Sequence, residues 1–369
     1  MSRKLRNVFE GKRILVTGHT GFKGSWLAIW LRELGAKVVG YSAEPPTNLN
    51  NFTLTKLAKK IVDIRADIRN KEKLDEVIRA FKPEIIFHLA AQAIVLKSYS
   101  LPKETFDINV SGTVNVLEVA RHYSFIKSIV IITSDKCYKD QSMPWGYRET
   151  DLLGGNDPYS ASKGMAELAV ASYRTSFFNN SKNTALASAR AGNVIGGGDF
   201  AEFRLVPDTM KALIMEKKIE LRNPDSVRPW QHVLVPLSGY LNIAARLQED
   251  RHEFAEAWNF GPLETSGVKA REVVEKAIFL WGNGSWKHIK IKNPPKEVKL
   301  LRLSWEKAAQ KLHWAPAYNW EEALASTVEW FKAYFAQRNN PEIDLYDLCV
   351  KQIRDYTESA REKKIEWAV

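Results

Sequence analysis

Two side chains capable of acid–base chemistry lie four residues apart near the middle of the chain, in Tyr159-Ser-Ala-Ser-Lys163. In a helix this spacing places both on one face, one turn apart. A phenol, with an ordinary pKa near ~10, is a poor base at neutral pH, but a neighbouring ammonium favours the phenolate. The pair therefore predicts a general base, although a tyrosine and a lysine on a solvated helix face would produce the same pattern.

A polar triplet, Ser134-Asp135-Lys136, ends the β-branched run that begins at Ser128. Such a run predicts a buried strand. In open α/β sheets, ligands bind beyond the carboxyl ends of the strands, so these side chains are expected beside a cofactor crevice. The alternative is an ordinary turn or cap.

Three glycines at intervals of three, Gly18, Gly21 and Gly24, follow a short strand predicted at 14–16 and precede a helix that ends near Gly35. The first lets the chain reverse, the second lets the backbone approach a pyrophosphate, and the third lets the helix pack closely on the strand. The free N–H groups of the helix N-terminus favour an anion there. The pattern predicts a dinucleotide site, with an ordinary tight turn as the alternative.

The end of the second strand, predicted at 37–42, bears on the choice of dinucleotide. The first acid after it is Glu44, and no lysine or arginine follows until Lys56. Because a 2′-phosphate needs a nearby cation, this favours NAD over NADP. Asp67 and Ile68, after a third strand at 61–67, are expected near the adenine. The alternative for Asp67 is the N-cap of a helix at 71–81.

Strands and helices alternate through the first part of the chain. Further strands are predicted at 84–92, 128–134 and 185–191, and helices at 105–123 and from Tyr159 onward. This rhythm predicts an α/β fold with a Rossmann-type doubly wound parallel sheet in a domain at 1–199. A smaller, mixed α/β substrate-binding lobe is predicted at 200–369, with some of its chain returning to the first domain. Its tail from Asp344 to Val369 is predicted to be one amphipathic helix.

Composition excludes several classes of protein. Lysine and arginine number 54 against 43 acids, a formal net charge of +11, but acids interleave the basic residues, which argues against nucleic-acid binding. No apolar run approaches the ~18 residues of a membrane span. The N-terminus is basic but lacks an apolar signal segment. Two distant cysteines, Cys137 and Cys349, predict neither a disulfide framework nor a metal site, and they favour a cytoplasmic location.

The glycine triplet, Ser134 and the Tyr159/Lys163 pair together resemble the extended short-chain dehydrogenase/reductases, particularly the nucleotide-sugar 4,6-dehydratases, over nearly the whole chain. Three segments, 18–27, 134–136 and 228–232, resemble the members that act on CDP-glucose. The resemblance implies an NAD-dependent dehydration by intramolecular hydride transfer, a step towards deoxy sugars of lipopolysaccharide O-antigen, in a homo-oligomer (dimer or tetramer).

The resemblance also implies roles for individual residues. Tyr159 would be the base, Lys163 would lower its pKa and hold the ribose, Ser134 would bond the sugar 4-hydroxyl, and Asp135 would be the acid. Relatives carry a glutamate where this chain has Lys136, which leaves open the residue that removes the C5 proton. The expected cofactor contacts are Gly18, Thr20, Gly21, Phe22, Lys23, Gly24, Asp67, Ile68, Leu89, Ala90, Ala91, Asn109, Tyr159 and Lys163.

Polar residues beyond the sheet are the expected substrate contacts. Arginine forks suit diphosphate oxygens, although each arginine could instead form an ordinary surface ion pair. The expected set is Gln92, Asn193, Arg204, Arg228 and Arg302.

Three other functions compete with this interpretation. One is another nucleotide-sugar 4,6-dehydratase. A 4-epimerase would share Tyr159 and Lys163 but would not need Asp135. A non-catalytic, nucleotide-binding regulatory protein would keep the fold without needing Ser134, Tyr159 and Lys163 together.

Overall fold

The structure is a computed structural model that describes residues 1–179, 184–251, 253–263, 267–289 and 301–369. Short strands alternate with helices over the first two hundred residues, and further short strands follow. In chain order the strands are β1 (Arg13–Thr17), β2 (Lys37–Ser42), β3 (Val62–Arg65), β4 (Ile85–His88), β5 (Ser128–Ile132), β6 (Ala185–Ala191), β7 (Val194–Ile195), β8 (Ile219–Leu221), β9 (Val227–Pro229), β10 (Gln231–His232), β11 (Ala257–Phe260), β12 (Gly267–Lys269) and β13 (Trp286–His288).

Helices separate these strands and cover both faces of the sheet. In chain order they are α1 (Arg3–Phe9), α2 (Phe22–Glu33), α3 (Asn51–Leu54), α4 (Lys71–Phe81), α5 (Val95–Ser100), α6 (Pro102–Phe106), α7 (Gly112–Ala120), α8 (Pro158–Tyr173), α9 (Leu205–Ile214), α10 (Leu234–Glu249), α11 (Ala270–Trp281), α12 (Glu306–Leu312), α13 (Trp320–Ala336) and α14 (Leu345–Glu362). Among the described residues, none of these helices is long and apolar enough to cross a membrane.

A seven-stranded sheet in the order β11-β6-β5-β4-β1-β2-β3 forms the centre, and all of its strand pairs are parallel. The chain runs outward from β1 to β3 and then crosses back to β4 on the other side of β1. Strand order therefore reverses between β1 and β4, and a crevice opens beyond their carboxyl ends. The predicted doubly wound α/β fold is confirmed.

Two apolar cores lie on opposite faces of this sheet. Along β1 the side chains alternate, with Ile14 and Val16 in one core and Leu15 in the other. Helix α2 belongs to the first core, and its Trp30 packs edge-on against Trp367 near the C-terminus. The sheet is thus buried on both faces, which holds the ends of its strands in fixed relative positions.

The chain beyond residue 200 contributes both to the central sheet and to small sheets outside it. Strand β11 joins the central sheet beside β6, while β8–β13 and β9–β12 form two small two-stranded sheets. A third small sheet joins β10 to β7, which precedes residue 200. The domain boundary after residue 199 stays a prediction.

Three sequence predictions need correction. The strand predicted at 84–92 ends at His88, because the following residues bend along the glycine turn. The helix predicted at 105–123 is interrupted by a π-helical turn at Asp107–Ser111. The tail is not one helix, because α14 ends at Glu362 and the chain reverses at Lys364, with φ of 56°, so that Trp367 can enter the core.

Candidate active site

The glycine turn between β1 and α2 has almost no room for side chains. A Cβ on Gly18, whose φ is 74°, would lie 2.6 Å from the backbone nitrogen of Ala90, and one on Gly24 would lie 2.1 Å from the Gly18 carbonyl oxygen. Gly21 caps α2 without a side-chain hydrogen bond. The first N–H groups of α2 are therefore available to an anion approaching over the turn. This cradle fits a dinucleotide pyrophosphate.

The loop after β4 lies directly against this turn. The backbone nitrogens of Leu89 and Ala90 donate to the carbonyl and hydroxyl oxygens of Thr17, at 3.1 and 3.3 Å. The small Ala90 and Ala91 leave the crevice open at this point. Of the predicted cofactor contacts, Leu89 and Ala90 thus lie beside Gly18, and Ala91 follows them in the loop.

Asn109 and Gln92 form a buried junction rather than two free polar groups. Within the π-helical turn, the Asn109 amide accepts from the Gln92 backbone nitrogen at 2.8 Å, and it donates to the Gln92 carbonyl and to Ser162 on α8. The Gln92 side chain bonds Thr105 and the Ile94 nitrogen. The contacts of both side chains therefore fix the loop after β4 against α8.

Residues that are distant in sequence lie close together at the end of β2. Thr20 and Ser42 share a hydrogen bond of 2.8 Å. Arg65 pairs with Ser42 in the β2–β3 register, so the neighbouring strand supplies the cation that the sequence after β2 lacks. That guanidinium lies 3.3 Å from Glu44 and 2.9 Å from Asp63, and these carboxylates offset its charge.

Asp67 and Ile68 lie beyond the end of β3. The side-chain hydrogen bond with Arg69 lowers the pKa of Asp67 and keeps it ionised. Asn70 caps α4 by accepting from the Lys73 nitrogen, so the alternative role of Asp67 as that cap is wrong. Ile68 is buried against Gly112, where a Cβ would lie 2.7 Å from its side chain.

Tyr159 and Lys163 both lie buried in the first turns of α8. The helix begins there because Asp157 caps it and Pro158 occupies its first position. Burial raises the pKa of Tyr159 to about 12, against the effect of its hydrogen bond with Ser134. Burial also lowers the pKa of Lys163 to about 8. Desolvation therefore outweighs the Ser134 hydrogen bond and the charge of Arg204, and the phenol pKa lies above its ordinary value, not below it as predicted.

Ser134 and Asp135 lie at the end of β5, both buried and in contact with each other. The Ser134 hydroxyl donates to Asp135 at 2.9 Å and accepts from the Lys136 nitrogen at 3.2 Å. A Cβ on Gly192 would come within 3.1 Å of the Asp135 carboxylate, so glycine leaves it space. The Lys136 ammonium lies 3.8 Å from that carboxylate, with 34% of its side chain exposed. The structure thus brings an acid and a cation beside Tyr159.

Lys23 and Phe22, both predicted cofactor contacts, extend from the start of α2. Desolvation lowers the pKa of Lys23 to about 8; Arg204 acts in the same direction, and Asp135 opposes it. Arg204 itself pairs with Asp199 at 3.1 Å. Phe22 packs where a Cβ on Gly196 would lie 3.0 Å from its ring. Lys23 and Arg204 therefore add positive charge around Asp135.

Arg228 and Arg302 both lie beside β12. Arg228 pairs with Val268 in the β9–β12 register, and a Cβ on Gly267 would lie 3.4 Å from an Arg302 guanidinium nitrogen. The Arg302 carbonyl accepts from the Tyr147 nitrogen at 2.8 Å. Asn193, the other predicted substrate contact, accepts from the Gln231 nitrogen through its own carbonyl.

One buried group beside this site escaped the sequence predictions. Glu167 lies one turn after Lys163 on α8 and pairs with Arg190 at 2.7 Å. Its spacing of four from Lys163 was the available signal, because it places both on one helix face.

Comparison with known proteins identifies relatives of the whole chain. A sequence profile described as GDP-mannose 4,6 dehydratase matches residues 15–327. The CDP-glucose 4,6-dehydratase of Salmonella typhimurium is 45% identical over 355 residues, which cover 95% of this chain and 98% of that protein.

Solved structures show the same fold. A dTDP-glucose 4,6-dehydratase from Bacillus anthracis, in complex with NAD, is 25% identical with a TM-score of 0.72 over 87% of this chain and 97% of that one. A UDP-glucose 4-epimerase from Thermotoga maritima, 23% identical, has a TM-score of 0.73 over 87% of this chain and 99% of that one. Extent of match and identity together place this chain in the GDP-mannose 4,6-dehydratase family of nucleotide-sugar enzymes.

Proposed function

We propose that this chain is an NAD-dependent dehydratase that converts CDP-D-glucose to CDP-4-keto-6-deoxy-D-glucose and water. The observation that carries the proposal is the meeting of Tyr159 and Ser134 with Asp135 and Lys136 at one strand end. The first two suit oxidation at C4 of the sugar, and the last two suit loss of the 6-hydroxyl. The 45% identical relative named for the same reaction supports the choice of CDP-glucose.

The glycine cradle and the loop after β4 fit NAD. When bound there, NAD would supply the hydride acceptor for C4 and the hydride donor for C6. Arg65 is paired by Glu44 and Asp63, which leaves less positive charge for a 2′-phosphate and supports NAD over NADP. Lys163, one turn from Tyr159, suits a bond to the nicotinamide ribose.

Tyr159 takes the proton of the sugar 4-hydroxyl, and Ser134 forms a hydrogen bond with the same hydroxyl. The resulting 4-ketone acidifies the C5 proton. We assign removal of that proton to Lys136 and protonation of the departing 6-hydroxyl to Asp135. Lys136 then returns a proton to C5, and the hydride removed from C4 would be delivered to C6, so the reaction consumes no NAD overall.

Arg228 and Arg302 suit the diphosphate of the substrate, because two guanidinium groups beside β12 can bind its oxygens. Arg204 acts electrostatically on Tyr159 and forms an ion pair with Asp199. Asn193 belongs to the same proposed substrate site.

A 4-epimerase is the second candidate, since solved 4-epimerases have the same fold. It would need Tyr159 and Lys163 but not Asp135, whose buried position beside Ser134 favours the dehydratase. The deciding experiment incubates the purified protein with CDP-glucose and identifies the product by nuclear magnetic resonance and mass spectrometry. A 4-keto-6-deoxy product without net NAD reduction supports the proposal. An epimerised CDP-hexose as sole product, or stoichiometric reduction of NAD, contradicts it.

We also propose that the protein is a cytoplasmic homo-oligomer whose product serves deoxy-sugar synthesis for lipopolysaccharide O-antigen. Exposed apolar residues on α8, Met165 at 47% and Leu168 at 59%, suit a subunit contact. Both cysteines are free and buried, which suits a reducing compartment. Sedimentation analysis would measure the number of subunits.

A further inference from the structure

Glu167 is a carboxylate in the protein interior behind the candidate active site. It is 2% exposed and lies on α8 one turn beyond Lys163. Burying a carboxylate is costly unless it is paired and hydrogen-bonded. Its partners therefore indicate what it holds together.

Three donors from two strands converge on this carboxylate. One oxygen accepts from the Thr133 hydroxyl at 2.5 Å, and the other accepts from the Ser188 hydroxyl at 2.8 Å and from the Arg190 guanidinium at 2.7 Å. Thr133 immediately precedes Ser134 at the end of β5. A single side chain of α8 thus ties the strand end that carries Ser134 to the helix that carries Tyr159.

We propose that Glu167 is a positioning residue for the dehydration reaction, which fixes Ser134 against Tyr159 and keeps Lys163 protonated. This inference rests on the proposed function, because it concerns the groups assigned to oxidation at C4.

Charges around Glu167 support the electrostatic part of this role. Burial acts to raise the pKa of Glu167, but Arg190 and the hydrogen bonds outweigh it and hold the pKa below its ordinary value. The carboxylate is therefore ionised at neutral pH. Arg190 has other hydrogen-bond partners besides Glu167, because it also donates to the Tyr138 hydroxyl at 2.6 Å and to the Glu149 backbone carbonyl at 3.2 Å.

Glu167 favours the charged form of Lys163. Burial lowers the pKa of Lys163 to about 8, and Glu167 is the main influence that opposes burial. Burial also raises the pKa of Cys137 well above its ordinary value, so that thiol is neutral. Within the described part of the chain, the titratable groups around Lys163 and Glu167 are Tyr159 and Arg174 on the same helical segment, Cys137 after β5, His88 on β4, Lys23 on α2 and Arg190 on β6. None of these adds a second anion at neutral pH.

The sign of the expected effect follows from this balance. Glu167 raises the pKa of Lys163, so neutralising Glu167 lowers it further. The inflection that Lys163 gives in the pH profile of the reaction then moves to lower pH, by about one unit or more, as for loss of an opposite charge one helix turn away. An inflection due to Tyr159 would move much less.

The experiment compares wild type, Glu167→Gln and Glu149→Gln by single-turnover oxidation of CDP-glucose from pH 6 to 10. Glu149 is the matched control, because this half-buried residue also contacts Arg190, through its backbone carbonyl, while its carboxylate accepts from the Asn259 nitrogen at 2.9 Å. We expect the inflection near pH 8 to move only in Glu167→Gln, with the KM for CDP-glucose within about 3-fold of wild type. Uniform loss of rate without movement of the inflection would indicate a merely structural role and overturn the proposal.

A second pair of variants tests positioning even if Glu167→Gln fails to fold. Thr133→Val removes one donor to the carboxylate, whereas Thr133→Ser retains it. We expect the first to lower kcat about 10-fold or more at unchanged KM and the second to stay near wild type, since the lost bond has a charged acceptor. Equal kcat in Thr133→Val and wild type would refute the positioning role.

Failure of this inference can be distinguished from failure of the proposed function. If the wild-type protein does not dehydrate CDP-glucose, the proposed function is wrong. If the wild-type protein does dehydrate CDP-glucose, but Glu167→Gln behaves like Glu149→Gln and Thr133→Val behaves like Thr133→Ser, only the role of Glu167 is wrong.

Discussion

Replacing Gly24 with alanine should close the cradle that we assign to the NAD pyrophosphate. The new Cβ would lie 2.1 Å from the Gly18 carbonyl oxygen, more than 1 Å inside the 3.4 Å at which ordinary contact begins. The opposing atom is backbone and cannot rotate away. The Gly18 carbonyl also accepts from the Gly21 nitrogen at 3.1 Å, so any movement of this carbonyl opens the turn itself.

The size of the effect follows from this overlap. Overpacking of a tight contact costs about 1–3 kcal/mol. If that strain falls on the phosphate-binding turn, NAD affinity decreases about 5- to 150-fold. The CDP-sugar site, carried by other elements, should keep its affinity.

Isothermal titration calorimetry with NAD, in wild type and variant, measures this decrease directly. The matched control is Gly11→Ala, because Gly11 also has a positive φ, of 72°, but a Cβ there would meet no atom within 4 Å. Gly11→Ala should lose some stability to backbone strain and keep NAD affinity. Affinity within about 3-fold of wild type in a folded Gly24→Ala would refute the assignment of this turn to the pyrophosphate.

Three further substitutions test the proposed site. Tyr159→Phe should lower kcat at least ~100-fold through loss of the base, with little change in substrate affinity; near-normal turnover would show that Tyr159 is not the base. Lys136→Ala should still oxidise C4 but stall before water leaves, so that reduced-nicotinamide absorbance rises in a single turnover and does not decay. Decay at the wild-type rate would exclude Lys136 from the elimination. Arg302→Ala should raise the KM for CDP-glucose about 10-fold or more with kcat nearly unchanged, and an unaltered KM would remove Arg302 from the diphosphate site.

The sequence alone was sufficient for the features that depend on neighbours along the chain. Gly18, Gly21 and Gly24 mark a turn because backbone reversal and close packing there exclude side chains. The spacing of Tyr159 and Lys163 predicts their common face because helix geometry repeats every 3.6 residues. Alternating strands and helices predicted the parallel sheet for the same local reason.

Local patterns were less reliable where distant contacts compete with them. The tail was predicted as one helix, yet it reverses at Lys364 because Trp367 gains burial against Trp30. The pKa of Tyr159 was expected to fall beside Lys163, yet burial raises it, and burial depends on how the whole crevice closes. The proposed roles of the site residues remain predictions for the experiments above.

Only the tertiary structure decided which charges meet. Arg65 lies beside Ser42 because β2 and β3 pair in register, although 22 residues separate them along the chain. Glu167 meets Thr133 and Arg190 because α8 packs across the ends of β5 and β6. Sequence spacing carries no information about such encounters, since sheet pairing and helix packing determine them through burial of the entire core.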